Sequence, residues 1–325
     1  MSTRARCTGY TLVELAVGAA IGILVAAAAG ALLVGGVAAY RNQADDALAH
    51  ENARFLIERF ARDLRMAGYF GCLGAGGVVI NALNHADGSL YDIDFPIEGL
   101  DGDDQSRAWH PSGAPMNVGY ALPGADAVTV RFADPDRAAP VLPDSPELAV
   151  EPRAADFEAG EVLVAADCDK AEVFQATSVS ANGEISRDPD TGYLPGNRPA
   201  SSGTSHGLAA EVAPLVAVRY FVGERTVDSR VSRTLYRRYL SRSGRVATEA
   251  VVDGVEDLQL LFGEDTDGDG IADRYAAADA VGAWTGVRAV AANVVLRSDG
   301  RYGAGDHPEP RSHRYSATVL LRNPR

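Results

Sequence analysis

The residues with the most definite chemistry lie in one short stretch, GEDTDGDGIADRY at 263–275. Asp265, Asp267 and Asp269 alternate, Gly270 follows, and Asp273 stands four residues beyond Asp269. Hard Ca2+ takes roughly six to eight oxygen ligands. Carboxylates at positions 1, 3, 5 and 9, a turn-forming glycine at 6 and a backbone carbonyl at 7, that of Ile271, suit one such ion. The pattern departs from an EF-hand: position 12 is Ala276 in place of a bidentate Glu, and no helical pattern leads into it. A last ligand would be water or a residue elsewhere, such as Glu264 or Asp279. The competing reading is an acidic β-turn without a metal. Four carboxylates in nine residues repel one another unless a cation sits among them, which favours binding.

Two other features carry chemistry. Between Gly9 and Tyr40 the only charged side chain is Glu14. An isolated carboxylate in such an apolar run costs about 2.5 to 3.5 kcal/mol on insertion scales, so its presence calls for a partner. The cysteines are Cys7, Cys72 and Cys168. If the first is removed with an N-terminal leader, the remaining two are an even number, and a Cys72–Cys168 bridge is the natural inference in an oxidising compartment. Two free buried thiols are the alternative. No C-x-x-C or Cys/His cluster suggests zinc. Nor is there a G-x-S-x-G elbow, a Walker loop or an H-E-x-x-H pair, and the six histidines are scattered, so catalysis has no support in the residues.

The elements that would position these groups follow from periodicity. Residues 15–39 carry no charge, and at about 1.5 Å per residue they cover the hydrocarbon thickness of roughly 30 Å as a helix. Arg4 and Arg6 precede the run, while Arg41, Asp45 and Asp46 follow it, so the basic flank keeps the N-terminus cytoplasmic. A secretory signal cleaved near residues 26–31 and a plain single-span anchor are the rival readings. The first fits poorly with so long an apolar core, and the second leaves Glu14 unexplained. The apolar run flows into an amphipathic one in which Ala49, Ala53, Leu56, Phe60, Leu64 and Ala67 recur at three or four residue intervals. Glu51, Glu58, Arg62 and Arg65 take the opposite side. One helix is expected from about residue 10 to 67, with Gly68 as its stop.

Beyond Gly68 the period shortens. Residues 127–132, 161–165, 172–177, 215–222, 233–240, 287–297 and 315–322 are short and β-branched or alternating, bounded by Gly, Pro, Asp and Ser, and read as strands. Residues 82–123 read as a loop-rich excursion. Residues 248–262 mix both periods and are expected to be helix then strand. The whole is an α+β chain: a long N-terminal helix, half membrane-spanning and half amphipathic, packed on an antiparallel β-sheet domain with loop-rich insertions. The formal net charge of −14 argues against nucleic-acid binding, and no nucleic-acid site is evident.

The N-terminal pattern resembles the signal of type IV prepilins. The resemblance implies cleavage by a prepilin peptidase after Gly9, methylation of the new N-terminal residue Tyr10, and Glu14 as the fifth mature residue, pairing with the free amine of a neighbouring subunit. The chain then divides into a leader at 1–9, a transmembrane half-helix at 10–40, an amphipathic half at 41–68 and a β-rich head at 69–325 in the periplasm or outside the cell. RDLRMAGYFGC at 62–72, DCDKAEVFQAT at 167–177, FGEDTDGDGIADRY at 262–275, VVLRS at 294–298 and TVLLRN at 318–323 are similar to recurring blocks of PilW-type minor pilins. That resemblance implies a non-enzymatic, low-abundance subunit that joins other minor and major pilins in a priming or tip complex, promoting pilus assembly, twitching motility, attachment or DNA uptake. It departs from the pattern at Tyr10, where pilins usually carry Phe. A type II secretion pseudopilin and a membrane-anchored surface enzyme with a structural calcium loop are the competing classes.

Overall fold

The computed structural model describes residues 10–74, 76–84, 90–102, 122–143, 148–151, 156–189, 192–199, 210–227, 230–297 and 311–323. Helix α1, Leu12–Met66, is a single element, as the unbroken passage from apolar to amphipathic periodicity predicts. It ends where expected: Gly68 adopts φ +79°, a conformation open to glycine and costly for other residues. A side chain there would also collide with the Asn323 carbonyl.

Fifteen strands follow among the described residues: β1 (Val78–Asn81), β2 (Ile97–Leu100), β3 (Ala127–Ala133), β4 (Ala139–Pro140), β5 (Val162–Ala166), β6 (Lys170–Gln175), β7 (Ser178–Val179), β8 (Ile185–Ser186), β9 (Glu211–Val227), β10 (Arg230–Leu240), β11 (Val246–Asp253), β12 (Val255–Glu264), β13 (Arg274–Ala276), β14 (Val287–Arg297) and β15 (Ser312–Leu320). A large sheet runs β1-β6-β5-β9-β10-β11, with β3 and β4 on the other edge of β9 and β2 beyond β3. A second sheet runs β13-β12-β14-β15, and β7 pairs with β8 alone. The fold is α+β, and among the described residues its strand pairing is antiparallel apart from the parallel register of β1 on β6.

Two expectations are corrected. Residues 248–262 contain no helix. They belong to β11 and β12, separated by Gly254 at φ +82°, and the apparent helical period comes from apolar residues that face a core in two successive strands. The 82–123 excursion contains β2, held by pairing to β3 through Ile97↔Val130 and Leu100↔Ala127. Its remaining residues at 85–89 and 103–121 lie outside the described residues.

The largest core forms where the second half of α1 meets both sheets. Ala53, Leu56, Phe60, Leu64 and Ala67 share it with Val128 and Val130 of β3, Val218 and Tyr220 of β9, Leu260 and Phe262 of β12, and Val290 and Val294 of β14. Burying one such Leu or Phe is worth roughly 1.5 to 3 kcal/mol, so the 3.6-residue stripe is enough to seat the helix. Phe60 meets Tyr220 edge to face, with centroids 5.3 Å apart. On the opposite face of β3 and β9 are two fully buried arginines. Arg131 donates to the Phe95 carbonyl and, at 3.0 Å, to Glu98, while Arg219 donates to Thr129 Oγ1 at 2.8 Å. Burial pushes Arg219 down to about 10, which leaves it charged at neutral pH.

Candidate functional site

At the N-terminus, the helix opens with a reciprocal pair. Thr11 N–H donates to Glu14 Oε2 at 2.9 Å, the Thr11 hydroxyl donates to the same oxygen at 3.1 Å, and Glu14 N–H donates back to Thr11 Oγ1 at 3.2 Å. This is a capping box, which satisfies N–H groups that a helix start leaves orphaned. Sequence reasoning singled out Glu14 and missed Thr11, although T-x-x-E ahead of an apolar run is the signature of such a box. Tyr10 is exposed beside it, and Gly9 lies outside the described residues. The helix that starts at Leu12 is long and apolar enough to cross a membrane, and its N-terminal half exposes apolar side chains such as Leu15, Ile23 and Leu32.

The acidic stretch is the hairpin loop joining β12 to β13, framed by the pairs Glu264↔Arg274 and Phe262↔Ala276. The structure brings Asp265, Asp267 and Asp269 together, with one carboxylate oxygen of each within 4.8 Å of the others. Asp273 is turned elsewhere: its Oδ2 accepts from Thr266 N–H and from the Thr266 hydroxyl, both at 2.7 Å. Ile271 presents an exposed side chain at the tip, and its N–H is bonded to Asp269 Oδ1 at 2.8 Å. Glu264 is also committed, to Arg274 at 2.7 Å and to Ala283 N–H at 2.7 Å, so it does not supply the missing ligand.

The loop answers its own charge repulsion in part. Asp265 accepts from Gly268 N–H at 2.6 Å, from Gly270 N–H at 3.0 Å and from Arg288 Nε at 3.1 Å. Burial pushes its carboxyl up, but the two N–H donors and Arg288 outweigh that and hold it below the ordinary carboxylate range. Hydrogen bonds from Thr266 likewise hold Asp273 low. Glu264 is lowered chiefly by its bond from Arg274. Asp267 and Asp269 each accept one N–H, at 3.1 and 2.8 Å, through Oδ1. Three carboxyl groups converging on one point suit a hard divalent cation, although Arg288 already pairs with the most buried of them.

Cys72 and Cys168 form a disulfide with Cα atoms 4.7 Å apart. Cys72 follows the end of α1, and Cys168 occupies the β5–β6 turn, where Asp167 accepts from the N–H groups of Asp169 at 3.0 Å and Lys170 at 2.9 Å. The bridge therefore fastens the helix exit to one hairpin of the large sheet.

A single apolar-then-amphipathic N-terminal helix feeding a β-rich head, with an acidic hairpin in its second sheet, defines an α+β protein with a candidate membrane anchor. Residues 219–318 match the family model for the Type IV Pilus-assembly protein W. The match runs from β9 into β15 and includes the whole of β12, the acidic loop and β14. It supports a type IV pilus-related protein. No curated protein and no solved structure matches the chain.

Proposed function

We propose that this chain is a minor type IV pilin, a structural subunit that enters a priming or tip complex with other minor and major pilins and promotes pilus assembly. The match of residues 219–318 to the pilus-assembly family carries the reading. It is joined by a carboxylate at Glu14, five residues after Gly9, at the start of a helix apolar enough to cross the inner membrane. In this reading a prepilin peptidase cuts between Gly9 and Tyr10 and the Tyr10 amine is methylated. The head then stands in the periplasm until the helix leaves the membrane for the filament, where Glu14 meets the amine of a neighbour. The acidic loop binds Ca2+ through Asp265, Asp267 and Asp269, with the Ile271 carbonyl and water completing the shell, and supports the β12–β13 hairpin.

Mass spectrometry of the mature N-terminus tests the reading. A chain beginning at methylated Tyr10 is expected, and a start near Gly30 would replace it with an ordinary secretory signal. Affinity isolation from cross-linked envelopes should recover other pilins. Recovery of type II secretion components alone would assign the chain to the pseudopilins instead.

A further inference from the structure

The edges of the two sheets are not alike. Backbone N–H and C=O groups along an edge strand are a template for a further strand, and proteins blunt such edges with shortness, bulges, prolines or charge. At the edges of the large sheet, β1 and β2 have four residues each, and β11 carries a register shift opposite Leu235 and Tyr236. In the second sheet β13 has three residues. β15 differs from all of them. It has nine residues, SHRYSATVL, with neither Gly nor Pro, and its register on β14 runs from Arg297↔Ser312 to Ala289↔Leu320 without a shift.

The ladder fixes which groups of β15 face outward. Leu321 N–H donates to Arg288 O at 2.8 Å, so the position next to Ala289↔Leu320 is a hydrogen-bonded pair. At the other end Arg297 N–H donates to Gly254 O at 2.8 Å, away from Ser312. Hydrogen-bonded and non-bonded pairs alternate in an antiparallel ladder. The N–H and C=O groups of Ser312, Arg314, Ser316, Thr318 and Leu320 therefore point away from β14, and among the described residues no strand pairs with that edge. The side chains of the same five residues are exposed, while Tyr315 and Val319 between them pack on the core under α1. This outward row is charged near one end and apolar at the other. Arg314 makes no ion pair among the described residues, Ser316 and Thr318 are uncharged, and Leu320 is 68% exposed.

We propose that the β15 edge is a docking site for an extended strand of a partner protein, which joins the second sheet beyond β15. The incoming strand carries an acidic side chain beside Arg314 and an apolar one beside Leu320, six positions apart on one face. Main-chain hydrogen bonds supply the affinity, and the two side-chain contacts fix the register. Pairing of β15 with the β15 of a second copy fits the edge less well, because the strand contains no acidic residue and offers Arg314 no carboxylate. The inference is independent of the pilus reading and of the acidic loop.

Hydrogen exchange on the full chain in detergent, read by mass spectrometry with residue-resolved fragmentation, tests it with synthetic peptides as probes. The probe alternates threonine and valine and carries Glu and Leu six positions apart on one face. Its reversed sequence covers both strand directions, and a version with Lys in place of Glu is the charge control. The expected result is at least tenfold slower exchange of the amides of residues 314, 316, 318 and 320 with one direction of the Glu probe, and weaker protection with the Lys probe. Thr318→Pro should abolish the protection, because the Thr318 N–H makes no ladder bond and its loss leaves the pairing with β14 in place. If that variant fails to fold, Arg314→Glu decides, since it should transfer the preference from the Glu probe to the Lys probe. Unchanged exchange with every probe, or equal protection by the Glu and Lys probes, would overturn the proposal. Protection that appears without peptide and rises with protein concentration, together with a dimer in light scattering, would assign the edge to a second copy and overturn the partner.

Discussion

The Tyr220 hydroxyl donates a 2.6 Å hydrogen bond to Asp63 Oδ2, joining the middle of β9 to the buried side of α1. Burial and the adjacent Asp63 carboxylate push the phenol far above its ordinary range, so it stays a donor at any physiological pH. Arg237 stands 3.8 Å from the same carboxylate and 3.4 Å from Glu249, which also receives Arg59 at 2.7 Å. Two residues of the helix and three of the sheet thus share one polar patch beside an apolar core. It sets the rotation and axial position of the helix, which hydrophobic burial alone leaves loosely defined.

Tyr220→Phe keeps the edge-to-face contact with Phe60 and leaves Asp63 without its shortest donor. The head should lose about 1 to 3 kcal/mol, read as a fall in thermal or denaturant midpoint. An unchanged midpoint would mean that Arg237 or water replaces the hydroxyl at no cost.

Asp126 gives the head a pH dependence of definite sign. It is 5% exposed, and its carboxylate accepts from Gly102 N–H at 2.9 Å and Leu260 N–H at 2.7 Å. Burial raises it from 3.8 to about 6, with the backbone donors opposing and Asp101 and Asp257 adding to the rise. The folded head holds this proton more tightly than the unfolded chain does. Its contribution is therefore full below about pH 4 and is lost as pH rises through about 6. Asp126→Asn should reduce the change in denaturant midpoint between those two values, even if it lowers stability overall. Equal slopes for the two proteins would remove Asp126 as the cause.

The acidic loop should respond to Ca2+. Ligand that binds only the folded state stabilises it by mass action, about 2.7 kcal/mol at a hundredfold excess over Kd. Millimolar Ca2+ should therefore raise the Tm and chelator should lower it. Asp267→Ala combined with Asp269→Ala should abolish the shift and leave processing intact. Identical melting of the unmutated protein with Ca2+ and with chelator would make the loop an acidic turn closed by its own N–H donors and Arg288.

At the other end of the chain, Glu14→Ala should leave membrane insertion intact or ease it, yet reduce recovery in pili. Thr11→Val removes the hydroxyl of the capping box at a cost of about 1 kcal/mol to the helix start. It should disturb recruitment less than Glu14→Ala, because the carboxylate remains. Equal incorporation of Glu14→Ala and the unmutated chain in sheared pili would sink the pairing role.

Much of this was readable in the order of residues, because it rests on local physics. Helix α1 follows from an uninterrupted 3.6-residue period and Gly68. Most strands follow from β-branched runs between turn formers, and the hairpin loop from alternating aspartates around glycines. The capping box was equally local, written as Thr11 and Glu14 three positions apart. The 248–262 segment misled because its apolar residues serve two consecutive strands, and nothing local states which face of each is covered.

Tertiary structure decided everything that depends on which surfaces meet. Alternation in VTVRF and VAVRYF would place Arg131 and Arg219 in solvent, yet both are buried, Arg131 held by the Phe95 carbonyl and Glu98 and Arg219 by the Thr129 hydroxyl. Only the folded chain turns Asp273 to Thr266 and Glu264 to Arg274, leaving three aspartates converging where the spacing offered four. The sequence by itself left β2 and the division of 248–262 unmarked, but it determined α1 and the longer strands, since a local period marks each. Their partners are stabilised by contacts between residues a hundred or more positions apart, and no local period encodes those.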